Sequence, residues 1–229
     1  MGVEPRPTGR DVLVTLAAGL LLPVLTMVAW AVVVLIADLP REWFALALVW
    51  AVIAMAAGIW WALVRRLGWG RAALGYTRAS VSLWHLLWEI PASITASLVF
   101  VAVVSPLLFD KPPQSETDTA TVALLSISPA LLVVGGLLVV VVVPLLEEVL
   151  FRRVLLDWLR WRLGVWAAVP LSATAFAGVH LAPAAMLYLF PLALCFALLR
   201  IRHDTLWASA LLHMVNNAFA FSVALAALS

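Results

Sequence analysis

The chain has 229 residues, of which 66% are apolar and 11% charged, with a formal net charge of +2. An average soluble domain carries roughly 45–50% apolar and about 25% charged residues, so a water-soluble fold has no place to hide this much apolar surface. The slight basic excess, all Arg except Lys111, is distributed as a membrane topology signal rather than as a nucleic-acid-binding patch.

Spanning about 30 Å of hydrocarbon takes about 20 helical residues, and apolar stretches near that length recur along the whole chain. In order they cover about 12–37, 43–64, 83–109, 121–146, 165–180, 184–199 and 206–228, which predicts an all-α polytopic bundle of seven, possibly eight, spans forming one membrane domain over 1–229. The first follows a polar, Pro-containing leader, and its apolar run is too long for a signal-peptide core, so it is read as a retained helix. Between the second and third, residues 68–82 mix Trp69, Leu74 and Tyr76 with Arg71 and Arg78, a composition that suits either a short interfacial helix or a plain loop. The stretch 110–119, with Pro112 and Pro113 among charged side chains, is the clearest loop. Cys195 is the single cysteine and lies in an apolar run, so an internal disulfide, a CxxC redox pair and a cysteine-rich zinc site are all excluded.

Retained cations mark cytoplasmic loops. With seven spans, every Arg except Arg41 falls on the N-terminal side, and Arg41 and Lys111 fall on the other. The N-terminus is therefore expected inside a cell membrane and the C-terminus outside, with lipid as the surrounding partner and no role for nucleic acid.

A charge at the centre of a membrane helix costs about 2.5–3.5 kcal/mol on insertion scales, so each ionisable residue there needs a partner or a function. Glu147, Glu148 and Arg152 follow more than twenty mostly apolar residues. Glu148 and Arg152 stand four apart on one helical face and can neutralise each other. Glu147 points about 100° away, without that partner. A charged helix end snorkelling to the surface explains this cluster equally well. His180 ends the run Phe176-Ala177-Gly178-Val179-His180, and His213 and Asn217 share one face of the last segment. That pair reads either as a site or as interhelical hydrogen-bond glue. An antiparallel hairpin turning at Leu163-Gly164 would set Glu147 and His180 at equal distance from the turn, hence at one depth. It would also project beyond the membrane. His213, about eleven residues past Arg202, sits at a depth of roughly 16 Å, where it can meet them.

These three clusters resemble the motifs of the CPBP intramembrane proteases, which include the type II CAAX prenyl endopeptidases and bacteriocin-processing or immunity proteins. They are EExxxR at Glu147, Glu148 and Arg152, FxxxH at Phe176 and His180, and HxxxN at His213 and Asn217. The resemblance covers roughly 131–220, within a motif-bearing core of 121–225, and the first three spans carry no motif. It implies an intramembrane endopeptidase acting on a membrane-associated peptide or protein. Glu147 is then the general base, His180 shares the water, and His213 and Asn217 donate to the oxyanion. Glu148, Arg152 and Phe176 support them. Glu147, His180 and His213 are also acceptable ligands for a divalent metal such as zinc, and the family has been read both as metallo- and as glutamate proteases. The HExxH spacing is absent. Two other classes compete: a catalytically silent scaffold or immunity protein, which tolerates loss of the Glu147 carboxylate, and a transporter, which usually shows repeated halves that this sequence lacks.

Overall fold

The computed structural model describes residues 6–109 and 128–227, without the side chains of 41 and 42. The expected loop at 110–119 and the start of the fourth segment, 121–127, lie outside the described residues. Among those described, regular structure is entirely helical. Six helical stretches are long and apolar enough to cross a membrane: Gly9–Ile36 (α1), Trp43–Arg66 (α2), Leu83–Leu108 (α3), Pro129–Leu163 (α4), Pro183–His203 (α6) and Leu206–Ala226 (α7). The seventh apolar helix, Val165–Gly178 (α5), has 14 residues and a length of about 21 Å. It falls short of a full span because the chain leaves the helix at Gly178 and turns through Leu181, whose φ is +53°.

The helix α4, at 35 residues, is about 52 Å long and exceeds the hydrocarbon thickness. It is the hub of the bundle, packing against α1, α2, α5, α6 and α7. Within it the stretch Val149–Leu156 is π-helical and buried on every side, as expected of a central helix enclosed by others. The widened turn changes which side chains share a face and is the kind of local insertion that functional sites often use. Close approach of α1 to its neighbours depends on small residues: a Cβ at Gly58 would collide with the Ala18 carbonyl, and one at Gly19 would meet Leu150 at 2.7 Å. The outer faces of α1 and α3 are covered with exposed Leu, Val and Trp, the surface that lipid solvates.

The α4–α5 hairpin turns at Gly164, with φ of +77°, where the sequence predicts it. Its register is fixed by Phe151 and Phe176, whose rings are 5.1 Å apart and edge-on, and by the Ser172 hydroxyl donating to the Phe151 carbonyl at 3.1 Å. At the turn end of the hairpin the starts and ends of four helices gather on one side. Arg66 pairs with Asp11 at 2.8 Å, Arg200 with Asp157 at 2.9 Å, and the Arg6 guanidinium lies over the Trp161 ring. This is the face to which the sequence assigns its cations.

Of the two readings of residues 68–82, the loop holds and the interfacial helix does not. Apart from the short 3-10 turn Ala72–Leu74 the segment is irregular, yet it is threaded under the bundle. The Ala73 carbonyl accepts from Arg153 Nε at 2.6 Å, Gly75 from the Leu206 amide at 2.9 Å and Thr77 from the Thr205 hydroxyl at 2.8 Å. Trp69 is buried against the Arg153 guanidinium.

Candidate active site

The α4 helix presents Glu147 and Glu148 on different sides, as successive helical residues must. Glu148 is fully buried, and its Oε1 lies 3.3 Å from Arg152 Nη1, the pairing expected four residues apart. Arg152 is equally buried, with its guanidinium between the Phe176 ring of α5 at 4.4 Å and the Phe196 ring of α6 at 4.7 Å. Stacking on two aromatic faces compensates part of the desolvation that a buried cation suffers. Its Nε and Nη2 have no hydrogen-bond acceptor among the described residues, so the charge is held by one carboxylate and two π faces.

His213 of α7 joins the two carboxylates. Its Nδ1 is 3.1 Å from Glu148 Oε1 and its Nε2 is 3.5 Å from Glu147 Oε2. The ring stacks on Phe196 at 4.7 Å and meets Phe176 edge-on. An ionised carboxylate only accepts hydrogen bonds, so Nδ1 donates to Glu148, and this bond together with the two aromatic contacts fixes the ring so that Nε2 faces Glu147. Of the four, Glu147 is the most open, with 18% of its side chain exposed against 3% or less for Glu148, Arg152 and His213. A carboxylate with access to water and one imidazole neighbour can exchange protons. The buried Glu148 and Arg152 are already committed to each other.

His180 and Asn217 are placed differently from these. His180 lies on the turn beyond α5, exposed, with Nδ1 donating to the Phe176 carbonyl at 2.9 Å and its ring against Phe176. Among the described residues no hydrogen bond or ion pair joins it to Glu147 or His213. Phe151 faces Phe176 across the hairpin, and the same register leads, one turn on, to Glu147 and His180. Asn217 donates from Nδ2 to the Val139 carbonyl of α4 at 3.0 Å, a carbonyl in the π-helical stretch Leu138–Val142. One of its two N–H groups is thus used to tie α7 to the helix bearing the carboxylates. For zinc, among the described residues no three His, Cys, Asp or Glu side chains are grouped as a ligand set, and Glu148 and His213 Nδ1 are occupied with each other. Glu147, His180 and His213 as arranged do not fit a three-ligand site, so no step is routed through a metal.

Sequence reasoning passed over three contributors. Tyr76, in the threaded segment, donates to the Leu145 carbonyl at 2.7 Å. Burial, reinforced by the negative charge of Glu148, pushes its phenol well above the usual range, so it stays a neutral donor two residues before the carboxylate pair. Phe196 closes the second face of both Arg152 and His213. Tyr188 donates to Asn216 at 2.7 Å, pinning the residue beside Asn217. Pattern offers no signal for Phe196 and Tyr188, since aromatic residues in apolar helices are normally packing, and Tyr76, among arginines in a loop, looks interfacial.

Fold and centre together define a multi-pass α-helical membrane protein with a buried carboxylate–imidazole–guanidinium cluster. Residues 129–219 match the family model described as Type II CAAX prenyl endopeptidase Rce1-like, a match that spans Glu147 to Asn217 and bears out the resemblance carried by the three motifs. No curated protein and no solved structure matches the chain.

Proposed function

We propose that this protein is an intramembrane endopeptidase in which Glu147 activates the attacking water. The observation that carries the reading is His213, held by Glu148 at 3.1 Å with its other nitrogen facing Glu147 at 3.5 Å. A water beside Glu147 attacks the scissile carbonyl carbon as its proton passes to the Glu147 carboxylate. The resulting oxyanion is met by N–H donors, for which the side chain of His213 and the remaining N–H of Asn217 are assigned. Collapse breaks the C–N bond, and Glu147 returns the proton to the departing amine. In neutral His180 the Nδ1 bond to Phe176 leaves Nε2 as an acceptor, which suits orientation of the water. Glu148 and Arg152 position rather than react. The catalytic core is taken as residues 121–225 and the substrate as a membrane-associated peptide or protein. Cells carrying wild type and Glu147→Gln, compared by mass spectrometry of membrane peptides at matched protein levels, test this. Peptides produced by the wild type should vanish in the variant, and identical profiles would refute the assignment.

The same reading sets the N-terminus in the cytoplasm and the C-terminus across the plasma membrane, supported by the gathering of Arg66, Arg153, Arg160 and Arg200 on one face with the first residues of α1. Reporter fusions at Met1 and Ser229 should report opposite compartments.

A further inference from the structure

The chain contains two asparagines, Asn216 and Asn217, and two tyrosines, Tyr76 and Tyr188. Three of these four side chains stand in one row that crosses from α6 through α7 to α4. The Tyr188 hydroxyl donates to Asn216 Oδ1 at 2.7 Å, Asn216 Nδ2 donates to Asn217 Oδ1 at 3.3 Å, and Asn217 Nδ2 donates to the Val139 carbonyl at 3.0 Å. Asn216, the middle member, is buried. The row runs one way, and its α4 end sets the direction. A backbone carbonyl only accepts, so the nitrogen of the Asn217 amide faces Val139 and its oxygen faces Asn216. That oxygen also only accepts, so Asn216 turns its nitrogen toward it and its own oxygen toward Tyr188, which must donate. Flipping either amide would set two acceptors against each other.

An amide group is planar, so holding the oxygen and one N–H of Asn217 also fixes where its second N–H points, and hydrogen bonds in series polarise one another. Asn216 lies about 100° around α7 from Asn217, off the face that Asn217 shares with His213, so spacing passes it over. One turn earlier His213 is held in the same manner, by Glu148 at 3.1 Å and by the Phe196 ring. Donors stabilise an oxyanion only when aimed where the charge develops, and a misplacement of about 1 Å can cost about 10²-fold in rate. Taking the centre as a peptidase, on which this role rests, we infer that Asn216 and Tyr188 are positioning residues that aim the Asn217 amide at the oxyanion. Neither meets the reacting atoms. Tyr188 acts through Asn216, and Asn216 through Asn217. A plain tie between helices would use the same bonds, and activity per folded molecule separates the two roles.

Because Asn216 and Asn217 are the only asparagines, the full chain labelled with ¹⁵N-asparagine and held in detergent micelles shows their side-chain amides alone by NMR, and Asn216→Leu assigns them by loss of one. Tyr188→Phe keeps the ring and removes only the hydroxyl, at the end of the row away from Asn217. It should shift the Asn217 amide resonances as well as those of Asn216. Ser222→Ala, which removes an α7 hydroxyl bonded to the Ala218 carbonyl, should move neither. An Asn217 signal unmoved by Tyr188→Phe, or moved as far by Ser222→Ala, would overturn the relay. The second arm profiles membrane peptides in cells at matched abundance of folded protein. Wild-type products should fall about threefold in Tyr188→Phe and at least about tenfold in Asn216→Leu, short of the roughly 10²-fold loss expected when the donor itself is deleted in Asn217→Ala. Tyr188→Phe decides the matter if Asn216→Leu does not fold. Products undiminished per folded molecule, with only the unfolding temperature in detergent lowered, would make the row a tie between helices and end the positioning role. Glu147→Gln distinguishes the failures: products lost there but kept in both row variants refute the positioning alone, and products unchanged in Glu147→Gln as well refute the peptidase reading with it.

Discussion

Two Glu–Arg–His clusters lie in this bundle, and they differ in one group. Between α3 and α6, Glu89 is buried, with Oε1 at 2.8 Å from Arg202 Nε and Oε2 at 2.8 Å from His203 Nε2, while His203 Nδ1 faces the Val81 carbonyl at 3.3 Å. Both oxygens of Glu89 and both ring nitrogens of His203 thus have partners within the set or in the adjoining backbone. In the second cluster, Glu148, Arg152 and His213 make the same kind of set, but the outer nitrogen of the histidine faces an additional carboxylate, Glu147, which reaches water. A carboxylate–guanidinium–imidazole trio is thus a bracing device that a membrane bundle can use anywhere. On the proposed function, the surplus carboxylate is what would separate a reactive centre from a brace.

That contrast can be broken by substitution. The largest stability effect is expected for Arg152→Ala, which leaves Glu148 charged, fully buried and without its cation; about 3–5 kcal/mol is the usual loss when one partner of a buried pair is removed. Membrane yield and unfolding temperature in detergent read it, and restoration in the Glu148→Gln/Arg152→Met double variant would confirm pairing as the cause. Glu89→Ala should lose less, roughly 1–3 kcal/mol, because only His203 Nε2 is left without its partner while Arg202, half exposed, can turn to water. Peptidase activity per folded molecule should be unchanged in Glu89→Ala, and a matching activity loss would erase the distinction between the two clusters. The smallest effect belongs to Tyr76→Phe, which removes the single bond to the Leu145 carbonyl for about 1 kcal/mol. It should lower turnover modestly with little change in substrate binding, since the helix bearing Glu147 loses one restraint but no reacting group.

The apolar segments and the two carboxylates were legible because hydrocarbon makes each polar residue conspicuous: Glu148 and Arg152 stand on one face, and the turn at Gly164 aligns Phe151 with Phe176 as equal distances from it require. Glu89, in the third segment, was passed over, because its partner His203 is 114 residues away and no periodicity links them. For residues 68–82 the sequence left an interfacial helix beside the loop, because Trp69 and Tyr76 among arginines look interfacial. Their destination, under Arg153 and against Leu145, is decided by packing of other helices. The π-helical turns of α4 likewise arise from tertiary enclosure rather than local preference. Asn217 lies on the expected face, yet the widened turn at Leu138–Val142 supplies the Val139 carbonyl that takes one of its N–H groups.

The claim that a surplus carboxylate makes the centre is tested most directly by profiling membrane peptides in cells expressing wild type, Glu147→Gln and Glu89→Gln at equal abundance. General acid–base groups contribute on the order of 10²–10⁴ in rate, so Glu147→Gln should remove the wild-type products while leaving a folded protein, and Glu89→Gln should retain them. Products that persist undiminished in Glu147→Gln would contradict the account.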